Sequence, residues 1–233
     1  MSPVLSRALA RHRALIAAPA VAIAATIGAA CVPTTPPATT TTTTTVPGPV
    51  ELSEGHVDGP GIAFEGGAFD VHVHDEETDT EYATDEVVLV AKDEAATVVP
   101  ADPAFDFLGV DGAPIWVLPQ VEDPELLYLG YAAEEIEPGV FEGDQVELRL
   151  LSVDGPGSFH LYQSGAFGDP DVLFDSDDSL PQSIDVSTGS HTHANWVFGA
   201  EGEYTITYEV VGTPVGDVEV SSGPVEFSYR VGS

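Results

Sequence analysis

The chain has 233 residues, 39 of them acidic against six basic, a formal charge of −33 at pH 7 and an isoelectric point of about 4.1. So few cationic side chains could not hold a polyphosphate or an anionic lipid surface; this excludes nucleic acid as a partner, and the summed field draws cations in. Cys31 is the single cysteine, so no intrachain disulfide can form and stability must come from a buried core.

Residues 1–30 carry Arg7, Arg11 and Arg13, no acidic residue, and the apolar run Ala14–Ala30. A basic start followed by a short apolar stretch and small residues reads as an export signal; an uncleaved membrane anchor is the alternative. Cys31 closes Ile27-Gly28-Ala29-Ala30-Cys31. This resembles a bacterial lipoprotein signal, in which the cysteine becomes the lipidated N-terminus. Ordinary cleavage after the small residues, with Cys31 incidental, is the alternative. Residues 31–50, with Pro33, Pro36, Pro37 and the Thr39–Thr45 run, cannot bury apolar surface and read as an extended linker.

Residues 51–233 hold every acidic residue and only Lys92, Arg149 and Arg230 as bases. The region is long enough for one buried domain. Short alternating or Val/Ile/Phe/Tyr-rich runs predict strands at 50–57, 62–64, 68–74, 86–91, 95–99, 114–118, 126–131, 145–153, 158–163, 171–174, 183–186, 194–198, 203–211, 215–220 and 225–231. Asp102–Leu108 alone reads as a helical turn, with Asp102 as N-cap and Pro103 at the first helical position. Tyr204, just after the turn Gly199–Glu203, resembles the tyrosine corner of immunoglobulin-like sandwiches. The expected fold is an all-β antiparallel sandwich, immunoglobulin-like or jelly-roll-like, with Trp116 and Trp196 in its core.

The histidines carry the chemical signal. His191-Thr192-His193-Ala194-Asn195 places two imidazoles and an amide at alternate positions, on one face of an extended strand. His72-Val73-His74 repeats the spacing, and His56 stands on another predicted strand. Neutral imidazole is the commonest transition-metal ligand, and histidines from separate strands could close a tetrahedral site. The candidate metal residues are His56, His74, His191 and His193, with Asn195 and His72 as helpers. Asp70 or Asp75 could complete the site or orient a ligand. Without a cysteine or methionine in the domain a blue-copper centre is excluded; zinc fits best, with manganese or type-2 copper behind it. Binding by imidazole predicts that affinity falls as pH drops through about 6.5, or somewhat higher in an acidic field. His160 reads as a structural polar position. The acidic loops Asp169–Asp171 and Asp175–Asp178 lack calcium-loop spacing and read as solvated surface.

Several stretches together, Leu52–Asp58, Trp116–Gln120, Gly155–Phe159, Leu173–Ser176 and His191–Phe198, resemble the actinobacterial surface-anchored (choice-of-anchor M) domain between about Leu52 and Glu209. The resemblance implies an exported, wall- or membrane-tethered protein, with some members similar in context to metal-type ABC uptake systems. It implies no assigned activity. The chain ends without a sortase-type motif, so an N-terminal tether, and with it a place on the outer face of the cell membrane or in the wall, is expected.

No nucleophile elbow, zinc-protease helix or phosphate loop is present, and the expected protein is not an enzyme. The rival to metal binding is an adhesin-like module for glycan or protein, built on Trp116, Tyr128, Tyr131, Tyr162 and Phe167.

Overall fold

The computed structural model describes residues 48–166 and 168–233. The expected signal, Cys31, most of the 31–50 linker and Phe167 lie outside those residues. The strands follow in chain order as β1 (Val50–Leu52), β2 (Gly55–Glu65), β3 (Ala68–Asp75), β4 (Thr80–Tyr82), β5 (Val87–Ala91), β6 (Ala96–Val98), β7 (Pro114–Leu118) and β8 (Leu127–Ala132). They continue as β9 (Gln145–Asp154), β10 (Phe159–Ser164), β11 (Pro170–Asp175), β12 (Gln182–Ser187), β13 (His191–His193), β14 (Asn195–Phe198), β15 (Gly202–Gly212) and β16 (Val220–Val231). Among the described residues the helices are short 3₁₀ turns. The longest, Pro103–Leu108, begins as expected: the Asp102 carboxylate accepts from Ala104 N at 3.0 Å. No helix among the described residues is long and apolar enough to cross a membrane.

The strands form three sheets, ordered β1-β5-β16-β15-β9-β12, β11-β10-β14-β7-β6 and β13-β8-β2-β3-β4. The all-β sandwich is as expected. Two sheets are mixed rather than purely antiparallel, because β5 runs parallel to β1 and β16, and β2 runs parallel to β8. Their inner faces meet in one core. Val57, Ile62, Leu127 and Leu129 of the third sheet pack with Leu118, Trp196 and Phe198 of the second and Leu89, Phe227 and Tyr229 of the first. Such dense burial of large apolar side chains is the stabilising term expected of a chain without disulfides. Trp196 also donates from Nε1 to Leu129 O at 3.0 Å, tying second sheet to third. The tyrosine corner is present, with Tyr204 Oη donating to Ala200 O at 2.9 Å and accepting from Ala200 N at 3.1 Å.

One expected strand and one expected alternation are corrected. Residues 215–219 form no strand. Asp217 N donates to Pro214 O at 3.0 Å, and Gly216 sits at φ +79°, so this segment is the turn of the β15–β16 hairpin. The run from His191 to Phe198 is also not one strand. Its first part, β13, pairs with β8 in the third sheet; its second, β14, lies between β10 and β7 in the second. The chain changes sheet at the buried Ala194.

Candidate metal centre

Alternation along the third sheet sends Val57, Leu127 and Leu129 inward and His56, Asp58, Tyr128, Gly130 and Ala132 outward. The register then assembles rows across the outer face. His193 lies opposite Gly130, Gly130 opposite Asp58, and Asp58 opposite His74. The next row runs His191, Ala132, Gly61, His72. A register shift in β2 between Asp58 and Gly61 keeps both residues on this face despite their odd spacing. Because Gly130, Gly61 and Ala132 are small, the flanking imidazoles can lean over them. A Cβ added at Gly130 would stand 2.5 Å from Asp58 Oδ1 and 3.1 Å from His191 Nε2.

His56, His191 and His193 meet there. Their Nε2 atoms form a closed triangle, with His56–His191 at 3.0 Å, His191–His193 at 2.8 Å and His193–His56 at 3.1 Å. An imidazole nitrogen carries either a proton or an in-plane lone pair, never both. Each Nε2 is therefore a donor or an acceptor, and among three at least two share a role. At least one edge must set donor against donor or acceptor against acceptor. A cation facing all three lone pairs removes that conflict. An ion about 2.0–2.1 Å from each nitrogen would sit about 1 Å off their plane, and ideal tetrahedral geometry needs the triangle to open by only a few tenths of an ångström.

The surroundings favour neutral, ligating imidazoles. Burial lowers the His193 pKa to about 4, partly opposed by the Leu129 carbonyl and reinforced by the other two rings. Burial also lowers that of His56, the charge of His191 adds to the drop, and Glu76, Glu134 and Glu77 oppose it. Burial thus holds two of the three rings in the neutral form in which imidazole ligates. Tyr128 stacks on His193 with centroids 3.5 Å apart and planes 6° from parallel, which fixes the ring. Glu134 Oε2 lies 3.7 Å from His191 Nδ1, on the side away from the triangle.

Asp58 is the residue that the sequence reading missed. It is 1 % exposed, neither carboxylate oxygen accepts a hydrogen bond, and Oδ1 lies 3.2 Å from His191 Nε2 and 4.0 Å from His56 Nε2. Burial raises its pKa to about 6, with the charge of His191 pulling the other way. The spacing His56-x-Asp58 repeats the alternation that singled out the histidine pairs, and the same argument finds it. A carboxylate left without a donor beside three imidazoles is a group short of a cation.

The other candidate residues stand apart from the triangle. His74 Nδ1 faces Glu76 Oε1 at 3.1 Å, and its Nε2 lies 3.6 Å from Asp79 Oδ1. His72 Nε2 lies 3.1 Å from Glu135 Oε1. Asn195 is corrected outright. It begins β14 in the second sheet, where its side chain accepts from Gln120 N at 3.0 Å and donates to Tyr162 O at 3.3 Å. Change of sheet at Ala194 breaks the alternation that would join it to His193. Asp75 serves the turn after β3, accepting from Glu77 N and the Thr78 hydroxyl. Asp70 pairs with Ala63 near the far end of β3. His160 is a buried structural group between Ser158 Oγ, at 2.9 Å, and Asp175 Oδ1, at 3.1 Å. Of the expected aromatic platform, Trp116, Tyr131 and Tyr162 are buried, and Tyr128 lies against the imidazoles.

The described residues thus contain a histidine cluster that could hold a metal ion. No protein-family model, curated protein or solved structure matches the chain.

Proposed function

We infer that the folded region binds a divalent transition metal, zinc foremost, through His56, His191 and His193. The carrying observation is the closed Nε2 triangle, a set of contacts that proton placement alone cannot satisfy. Three imidazoles suit zinc, and Asp58 supplies a nearby fourth donor. A fourth protein ligand would close the coordination sphere, and closed spheres suit holding an ion rather than activating water. This supports a non-catalytic role. Manganese and copper are the competing ions.

The basic-apolar start, Cys31, the Thr/Pro-rich linker and the resemblance to surface-anchored domains support the wider reading. In it, the protein is exported and tethered at its N-terminus, and it presents the ion-binding domain outside the cell as an accessory to an ABC-type metal uptake system. Titration calorimetry with zinc chloride on the chelator-stripped protein tests the central claim. The wild type takes up zinc and the His191→Ala/His193→Ala variant does not. Zinc-loaded and metal-free protein melting at the same temperature, with no binding heat, would end the reading. Mass spectrometry of the mature N-terminus tests lipidation of Cys31.

A further inference from the structure

Beyond the imidazole triangle the same sheet face continues into a second group of ligand-bearing side chains. His74, Glu76 and Glu134 each offer an atom within 4.8 Å of the others, and Asp58, Glu134 and His191 do the same. Glu134 belongs to both groups. Asp58 also lies between them, since β2 places it opposite His74 on one side and Gly130 on the other. A narrow cleft lined by Asp58, Gly61, His74, Ala132, Glu134 and Glu135 marks the spot.

The electrostatics of this cleft are unbalanced. Asp58 is fully buried with both oxygens unpartnered, and Glu76 Oε1 is likewise buried without a hydrogen bond. Among the described residues no lysine or arginine is free to approach. Lys92 is held by Glu54 at 2.7 Å, Arg149 by Glu147 and Glu209 at 2.9 and 3.4 Å, and Arg230 by Glu51 at 2.6 Å. Those three are the only lysine and arginine residues from Glu51 onward. Neutralisation is left to protons on these carboxylates and the adjoining imidazoles, or to a cation from solution.

The geometry points to a second divalent-cation site formed by His74, Glu76 and Glu134, with Asp58 as the carboxylate between it and the imidazole triangle. One imidazole among carboxylates is a harder donor set than three imidazoles. It suits manganese-class ions where the triangle suits zinc. With both ions bound, Asp58 would stand between them as the shared carboxylate of a two-ion centre. The second site extends the zinc reading and shares Asp58 with it, but its other ligands are different, so the two can fail separately.

Equilibrium dialysis of the full chain, first against zinc chloride and then against manganese chloride, with the bound metals counted by elemental analysis, tests it. The wild type should hold one zinc and one manganese. His74→Ala/Glu134→Gln should keep the zinc and lose the manganese, whereas His191→Ala/His193→Ala should lose the zinc. Asp58→Asn should weaken both ions at least tenfold. Glu134→Gln alone, on a side chain 41 % exposed, guards against misfolding of the double variant and should lower manganese affinity by itself. A wild type that saturates at one zinc, unaffected by His74→Ala/Glu134→Gln, with no manganese bound, would overturn the second site and leave the first. Zinc retained by His191→Ala/His193→Ala, with manganese still lost in the other variant, would overturn the first and leave the second.

Discussion

Replacing Asp58 by asparagine should stabilise the metal-free protein and weaken its hold on zinc. The carboxylate is buried, receives no hydrogen bond, and has its pKa raised from 3.8 to about 6, mainly by burial. At pH 7 the folded state must therefore keep ionised a group that would rather be neutral. A rise of that size corresponds to a cost of order 2–3 kcal/mol, at about 1.4 kcal/mol for each tenfold change in ionisation. Asparagine has nearly the same shape and no charge, so the cost disappears. For a domain of this size the variant should melt about 5–10 °C higher than the wild type in chelator at pH 7. The sign of the pH dependence follows. The folded pKa is raised, so between pH 3.8 and about 6 the folded state binds more protons than the unfolded state, and the metal-free wild type loses stability as pH rises through that window. The advantage of asparagine should be full at pH 7 and nearly gone at pH 4. Saturating zinc should narrow the gap, because ion at about 1,000 times the wild-type dissociation constant adds about 4 kcal/mol to the wild type but only about 2.7 kcal/mol to a variant that binds it tenfold more weakly. Differential scanning fluorimetry in chelator and in zinc, at both pH values, reads all four states. An asparagine variant less stable than the wild type in chelator at pH 7 would refute the reasoning, since Asp58 would then be a structural acceptor.

Gly130→Ala should abolish zinc binding while leaving a folded protein, since its methyl group would stand 2.5 Å from Asp58 Oδ1 among the ligands; calorimetry and circular dichroism check the two halves. Zinc affinity should fall as pH drops from 7.5 to 5, since protons compete for the ligands and Asp58, with its pKa raised to about 6, becomes neutral within that range; a dissociation constant that stays flat over it would count against these ligands. His193→Ala alone should weaken zinc by more than about 100-fold in a competition titration, as it removes a direct ligand. Tyr204→Phe should cost about 1–2 kcal/mol in denaturant unfolding and leave zinc affinity unchanged, because it deletes the corner hydrogen bonds to Ala200.

Local patterning was readable wherever a strand's own residues decide its state. Pro114–Leu118 has the bounds that its sequence suggests, and Asp102 caps its turn. Three of the candidate ligands, His56, His191 and His193, do converge. What alternation cannot give is the neighbour. Nothing in β2 announces that it lies parallel to β8, and that pairing is what carries His56 and Asp58 toward β13. Asn195 illustrates the other failure: a period of two holds only while the chain stays in one sheet, and here it leaves after His193. Asp58 does not stand out in the sequence, because acidic residues are so common in this chain. Its burial sets it apart, and burial is a property of the assembled sheet.

His56 and His191 are 135 positions apart along the chain. An ion gripping both, and β13 with them, would act as a removable cross-link around more than half of the folded region. Closing a loop of about that length restricts the unfolded chain by roughly 5 kcal/mol in the simplest polymer treatment, comparable with a well-placed disulfide. In a chain whose one thiol lies outside the domain, a chelator would then play the part that a reductant plays elsewhere. The first strand to loosen would be β13, a three-residue segment at the margin of its sheet.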